Sequence, residues 1–297
     1  MNEIDILTDE TYNSGQKISI FLEKYGLAAQ KKFGQNFLIN PGARKKINDA
    51  LELPAGGTVW EIGPGLGAQT CALLAGGAYV TAFEIDKGFC ALLNGMFAAR
   101  CKQRWHLVEG DVLQTWKTAR PSGESGDIYL LGNLPYNIAG TVIAGFIENG
   151  VFFKRAVITV QKELGIRLLA KRGDPSYSAL SALCQALYRT SRVALLGPAN
   201  FYPAPNVDSV ALRLDLKTEV DDAVFLPGFF QFQRAMFAKR RKTIKNNLEA
   251  YLALKKPSGN AAALLQNAAL SAGLRAETMT LEDFIRLYKA FLVISAA

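Results

Sequence analysis

Short apolar runs alternate with amphipathic stretches along most of the chain. Thr58–Ile62, Tyr79–Ile85, Trp105–Glu109, Ile128–Leu131 and Arg155–Val160 are four to seven residues long and read as strands. Between them, Ala68–Leu74, Lys87–Arg100 and a stretch from about Gly140 to Glu148 read as helices. Strand–helix alternation of this kind predicts a parallel, doubly wound α/β sheet. Pro41 marks a helix start, Ala182–Leu187 sits in a helix, and Val207–Leu216 closes with strand-like alternation. From about Glu219 the texture changes. Residues 228–254, 260–273 and 280–293 read as helices, broken at Pro257-Ser258-Gly259 and at Gly273. The expected organisation is an appendage over 1–25, an α/β domain over 26–218 and a small all-helical domain over 219–297. Two charge-free stretches, 62–83 and 128–147, imitate membrane spans. Gly63, Pro64, Gly65 and Gly67 in the first, and Asn133, Pro135 and Asn137 in the second, make them buried strands joined to special loops.

Composition narrows the chemistry. The 297 residues include 34 Lys and Arg against 26 Asp and Glu, a net charge of +8. A basic chain of this size points to an acidic partner, with nucleic acid the leading candidate. The surplus is uneven: residues 1–25 hold two bases and five acids, 26–218 hold 21 and 14, and 219–297 hold 11 and 7. Arg234, Lys239, Arg240, Arg241, Lys242 and Lys245 put six bases and no acid into twelve residues, interleaved with Met236 and Phe237. That run fits a helix with one buried face and one phosphate-facing face. His106 is the single histidine, which excludes His-based triads and multi-His metal sites, and it reads as structural. Cys71, Cys90, Cys101 and Cys184 show no CxxC spacing, which argues against zinc and fits a reducing cytoplasm. The acidic N-terminus carries no signal-peptide or transit-peptide pattern.

The first strand runs into Glu61-Ile62-Gly63-Pro64-Gly65-Leu66-Gly67. Glycines there allow a tight turn and bring backbone N–H groups close to a ligand, and the following helix adds its positive end. Glu84 ends the next strand, where a ribose hydroxyl pair would be gripped, with Asp86 as a second candidate. Asp111 follows the third strand and can accept from an adenine amino group. Together these describe an adenosine-containing cofactor over a Rossmann-like sheet. Gly63, Gly65 and Ala68 also satisfy the dinucleotide fingerprint, so an NAD-type site is a rival. Glu61 favours S-adenosylmethionine, because a carboxylate can meet its cationic amino-acid end and would repel a pyrophosphate.

After the fourth strand comes Gly132-Asn133-Leu134-Pro135-Tyr136-Asn137. This loop suits methylation of an amino group conjugated to a ring. The Asn133 side-chain oxygen and a nearby backbone carbonyl can accept both amino hydrogens and aim the nitrogen lone pair. Pro135 fixes φ and exposes the carbonyl of Leu134 before it. Tyr136 can stack on the base and favour the developing positive charge. No strong base is required, which agrees with the single histidine.

At this point the chain resembles the KsgA family of small-subunit ribosomal RNA adenine dimethyltransferases, from about Lys31 to the C-terminus. The carrying stretches are Phe33-Gly34-Gln35-Asn36-Phe37-Leu38, Glu61–Gly67, Gly132–Asn137, Gln161-Lys162-Glu163, Phe201–Ser209 and Arg240–Leu248. The resemblance implies two methyl transfers from S-adenosylmethionine to each of two adjacent adenosines. These lie in a hairpin loop near the 3′ end of small-subunit rRNA, in a pre-ribosomal small subunit. It implies that Asn36 and Leu38 close over the cofactor, with Gly63, Gly65, Glu84, Asp111 and Asn133 also touching it. Phe201 would oppose Tyr136 and sandwich a flipped adenine. Arg240, Arg241, Lys242 and Lys245 would face rRNA, with Lys31 and Lys32 joining them. A monomer with no membrane association is expected.

Two departures stand out. Asn206 occupies a place where the family commonly has Lys, which removes one phosphate contact, and Ala156–Val160 lacks the aromatic often found before Gln-Lys-Glu. Lys154, Arg155, Lys162, Arg167, Lys171 and Arg172 form a further basic set, part of which is expected to face RNA. A large-subunit rRNA dimethyltransferase and a non-enzymatic nucleic-acid-binding factor on the same fold are the remaining alternatives.

Overall fold

The computed structural model describes residues 7–30, 33–117, 127–255 and 260–295. The chain divides into two compact units. One comprises Met1–Gly145, Phe152–Gly165 and Ser191–Leu216, and the other Phe146–Val151, Ile166–Thr190 and Lys217–Ala297. The last crossing between the two units falls at Leu216–Lys217. A single cut cannot show that 146–151 and 166–190 also belong to the second unit.

The strands are β1 (Phe37–Leu38), β2 (Thr58–Ile62), β3 (Tyr79–Glu84), β4 (Trp105–Glu109), β5 (Ile128–Asn133), β6 (Arg155–Gln161), β7 (Tyr188–Leu196), β8 (Phe201–Tyr202) and β9 (Ser209–Leu216). Seven of them form one sheet in the order β4-β3-β2-β5-β6-β9-β7. The pairs from β4 to β6 are parallel, and β9 runs antiparallel to β6, so the sheet is mixed. Parallel strands are covered on both faces, which explains why they read as continuous apolar runs. Val59, Trp60, Ala82, Leu131 and Val157 are all buried. The chain steps outward from β2 to β3 and β4, then returns to β5 on the other side of β2. Ligands bind at such a reversal, beyond the carboxyl ends of the strands. A separate two-stranded ladder pairs β1 with β8, Phe37 opposite Tyr202 and Leu38 opposite Phe201.

The helices are α1 (Asp9–Tyr12), α2 (Gly15–Lys24), α3 (Pro41–Leu51), α4 (Ala68–Ala75), α5 (Lys87–Phe97), α6 (Val112–Thr115), α7 (Ala139–Glu148), α8 (Lys162–Leu169) and α9 (Ala179–Leu187), then α10 (Phe229–Met236), α11 (Ile244–Lys255), α12 (Ala261–Asn267) and α13 (Leu281–Ser295). Their starts are written in the sequence. Asn40 accepts from the Ala43 N–H ahead of Pro41, and Asp86 and Asp111 cap α5 and α6. The apolar stretch 62–83 supplies the glycine turn, α4 and most of β3, and 128–147 supplies β5 and most of α7, so a helix lies in each beside the buried strand and special loop. Among the described residues, no helix is long and apolar enough to cross a membrane.

Two expectations need correction. Residues 9–24 are no appendage, because α1 and α2 place Tyr12, Ile18 and Leu22 in the core of the first unit. The helix expected over 228–254 is broken: α10 ends at Met236 and α11 starts at Ile244. The buried Asn247 side chain accepts from the Lys239 N–H at 3.0 Å and donates to the Lys239 carbonyl at 3.3 Å, which holds the chain in a turn. Around this turn the second unit is built on aromatic rings. Phe232 lies 5.1 Å from Tyr288 and 5.6 Å from Phe291, and Phe237 stacks on Phe284 at 5.8 Å. The break at Pro257–Gly259 lies outside the described residues.

Candidate cofactor cleft and acceptor loop

The carboxyl ends of β2, β3, β4 and β5 open onto one cleft. Gly63, Gly65, Glu84, Asp111 and Asn133 line it, joined by Asn36 and Phe37 from the segment leading into β1. The cleft spans about 620 Å³ of space, part of it open to solvent. The turn after β2 depends on its glycines. Gly63, Gly65 and Gly67 have φ of 66°, 58° and 82°, a region that disfavours side chains. A Cβ on Gly67 would lie 3.0 Å from the Phe97 ring. The Gly67 N–H donates to the Pro64 carbonyl at 2.9 Å and closes the turn.

The carboxylates divide the work. Glu84 is 5% exposed and accepts at 2.9 Å from the N–H groups of Ile85 and Asp86, with a long 3.4 Å bond from Gly65. Burial raises its pKa to about 7, although those backbone donors oppose the shift. Asp111 spends one oxygen on the Leu113 N–H at 2.9 Å as a helix cap. Glu61 does not reach the cleft. It is buried beneath the turn, accepts from the Thr70 hydroxyl at 2.7 Å, and is pushed up to about 7 by burial. The expected contact with a cationic ligand group is therefore replaced by a structural one. Asp86 is likewise no ribose ligand. One of its oxygens caps α5, and the other accepts from Gln30 at 2.7 Å and Gln35 at 3.2 Å. It anchors the segment that carries Asn36, a role that spacing alone did not reveal.

Asn133 is the most informative residue. Its amide nitrogen donates to the Asn36 carbonyl at 2.8 Å, and its Oδ1 is buried with no hydrogen-bond partner. A buried acceptor left open in this way needs a donor, and a ligand in the cleft would supply one. The Leu134 N–H is tied to the Thr159 carbonyl at 3.0 Å, which fixes the loop against β6. Gly132 has no room for a side chain, because a Cβ would lie 3.0 Å from Leu134 Cδ2 and 3.2 Å from the Ile62 carbonyl. The half-buried Tyr136 hydroxyl lies 2.6 Å from the Ser209 hydroxyl on β9. Burial raises the Tyr136 pKa, and the bond to Ser209 offsets part of that. Ser209 was legible only as the end of the Phe201–Ser209 stretch. Phe201 is 3% exposed, packs in the core and does not line the cleft. Leu38, its ladder partner, is also buried.

The remaining candidates sit elsewhere. Lys239, Arg240, Arg241 and Lys242 are exposed on the turn between α10 and α11. Arg240 donates to the Pro175 carbonyl, Arg234 pairs with Glu148 at 2.9 Å, and Lys245 approaches Glu249 at 3.8 Å. The bases expected on a helix face thus sit largely on a turn. Lys31 and Lys32 lie outside the described residues. Within the second basic set, Lys154, Arg155 and Lys162 pair with Asp127, with Glu52 and Asp215, and with Asp208. His106 is exposed on β4 and is not among the residues lining the cleft.

The family profile described as ribosomal RNA adenine dimethylase matches residues 26–291. Ribosomal RNA small subunit methyltransferase A of Treponema denticola is 40% identical over 287 residues, covering 97% of this chain and 98% of the relative. The protein of that name from Borrelia garinii is 36% identical over 279 residues, 93% of each chain. A dimethyladenosine transferase from Plasmodium falciparum has a similar structure, with TM-score 0.68 and 26% identity, covering 86% of this chain and 96% of that one.

Proposed function

The chain belongs to the ribosomal RNA adenine dimethylase family, and on that premise we propose that it dimethylates adenine N6 in small-subunit rRNA during ribosome biogenesis. The substrate is a pair of adjacent adenosines in a hairpin loop near the 3′ end, presented by a pre-ribosomal small subunit in the cytoplasm, and the enzyme acts as a monomer. The observation that carries this reading is the buried, unpartnered Asn133 Oδ1 at the head of the Asn133–Tyr136 loop. The family membership sets aside the dinucleotide alternative. The names of the relatives support the small subunit over the large one.

S-adenosylmethionine, when bound, supplies an electrophilic methyl group. The residues present fit it: Glu84 offers a carboxylate for ribose hydroxyls, Asp111 an acceptor for the adenine amino group, and Gly63 and Gly65 a cradle without side chains. Asn36 and Phe37 complete that wall, and Leu38, expected there, supports it from the core. For the acceptor base, Asn133 Oδ1 takes one amino hydrogen, and the carbonyl of Leu134, exposed by Pro135, takes the other. These bonds turn the nitrogen lone pair out of conjugation. Tyr136 stacks on the base, held by Ser209, and its π-face favours the positive charge that develops. Phe201 is packed in the core and off the cleft, so the expected sandwich with Tyr136 gives way to a packing role. Catalysis is positioning and hydrogen-bond polarisation. Arg240, Arg241 and Lys242 on the turn and Lys245 in the first turn of α11, with Lys31 and Lys32, contact rRNA phosphates.

Mass spectrometry of small-subunit rRNA treated with the protein and S-adenosylmethionine tests the reading. Two adjacent dimethyladenosines near the 3′ end are expected. Methylation of large-subunit rRNA alone, or none, would overturn it.

A further inference from the structure

The N-terminal segment lies outside the stretch 26–291 that matches the family, yet it touches the cofactor turn. The Tyr12 hydroxyl, buried in the core, donates to the Leu66 carbonyl at 3.0 Å. Leu66 stands between Gly65, which lines the cleft, and Gly67, which caps α4. A peptide unit is planar, so fixing the Leu66 carbonyl also fixes the Gly67 N–H on the opposite side. That N–H is the one that closes the turn on Pro64. The turn carries three left-handed glycines, and glycine-rich backbone of this kind changes conformation readily. The bond from Tyr12 therefore blocks a peptide flip that glycines would otherwise allow.

A second tie comes from α3. Arg44 is buried and donates through one nitrogen to the Tyr12 carbonyl at 3.3 Å and to the Leu38 carbonyl at 2.8 Å, and through the other to the Asn13 side chain. Its guanidinium also lies over the Tyr12 ring, 5.9 Å from the centroid. A small cavity is lined by Tyr12 and Arg44 on one side and by Asn36, Gly63, Gly65 and Asn133 on the other. The last four also line the cofactor cleft. Behind the strap, α2 is seated closely: a Cβ on Gly15 would lie 2.6 Å from the Tyr202 ring.

We infer that Tyr12 and Arg44 are positioning residues for the cofactor, acting through the Leu66 and Leu38 carbonyls to hold the two walls of the cleft in their binding conformation. The inference rests on the reading of that cleft as the S-adenosylmethionine site. Neither residue touches the acceptor loop's reacting groups, so the effect belongs to cofactor affinity and not to methyl transfer itself.

The test uses the full-length protein with Tyr12→Phe and Arg44→Gln, titrated with S-adenosylmethionine by calorimetry and assayed on immature small subunits. Thermal melts accompany both. Tyr12→Phe keeps the buried ring and removes only the donor. Each variant is expected to raise the cofactor Kd and KM about five- to twentyfold. The expected kcat at saturating cofactor and the KM for the ribosomal substrate stay within twofold of wild type. A cofactor Kd within twofold of wild type overturns the inference, whatever happens to Tm. So does a fall in Tm and kcat with an unchanged cofactor KM, which is the mark of a purely structural role. A wild-type protein that fails to bind S-adenosylmethionine overturns the cofactor reading, and the inference with it.

Discussion

The cofactor cleft and the basic turn at 239–242 are built on opposite terms. The cleft is made of backbone: left-handed glycines, a carboxylate held by N–H groups, and an asparagine whose one free oxygen is aimed by the other half of its amide. The turn is made of exposed side chains, and the buried Asn247 helps to pin it. Buried hydrogen bonds are insensitive to salt and intolerant of one missing partner, whereas exposed charges are screened and individually replaceable. The difference teaches where chemistry is concentrated and where affinity is spread. Substitutions in the cleft should act in an all-or-none way, and those on the turn by increments.

The largest effect tests the cleft directly. Asn133→Ala should reduce methyl incorporation into small subunits by roughly 10³-fold, while cofactor binding weakens by less than about tenfold. Near-normal transfer would place the polarising group elsewhere. Next comes the glycine turn. Gly67→Ala forces a side chain into a left-handed conformation against the Phe97 ring. It should cost about 1–3 kcal/mol of stability, read by denaturant melts, and weaken the cofactor as well.

The third effect is a pH dependence. Burial holds Glu61 and Glu84 at about 7, above the ordinary 4.5. A raised carboxyl pKa contributes stability that is fully present below about pH 4.5 and lost as pH rises through about 7. The free protein should therefore melt at lower denaturant at pH 8 than at pH 5, and Glu61→Gln should shrink that difference. The same titration at Glu84 acts in the opposite sense on the ligand, because the ionised carboxylate is the better acceptor for two hydroxyls. Cofactor affinity should rise about tenfold from pH 6 to pH 8, and a flat profile would remove Glu84 from the ribose contact.

The smallest effect belongs to the turn. Arg241→Ala and Lys242→Ala should each weaken rRNA binding a few-fold at about 0.1 M salt. Each should lower the salt slope by about one charge and leave cofactor affinity unchanged. A collapse of activity from either single change would erase the contrast between the two regions.

Legibility in the sequence follows the same division. The structure brings Gly63, Gly65, Glu84, Asp111 and Asn133 to one cleft, a grouping that their places at strand ends suggest. What Glu61 and Asp86 do was not readable. A carboxylate near a ligand loop looks the same whether it faces the ligand or props up the loop from behind, and only burial separates the two. The break at residues 237–243 was hidden because bases interleaved with Met236 and Phe237 keep a helix-like rhythm across a turn pinned by one distant asparagine. The N-terminal helices were hidden by charge. Five acids in 25 residues suggest a solvated tail, while three buried side chains decide its place. The antiparallel β9 was also invisible, since alternation reports a strand and not its direction.

The ladder between β1 and β8 has an evolutionary consequence. Leu38, which follows Asn36 and Phe37 of the cleft wall, and Phe201 of β8 are bound to each other by register. A strand pair tolerates no one-residue slip without turning every side chain to the other face. Insertions or deletions on either side of the ladder would exchange Leu38 and Phe201 for residues of the opposite face at the same moment. The segment carrying Asn36 and Phe37 and the segment carrying Phe201 and Tyr202 are thus inherited as one unit. Change is channelled into loops that leave this pairing intact, such as the Pro203–Asp208 segment.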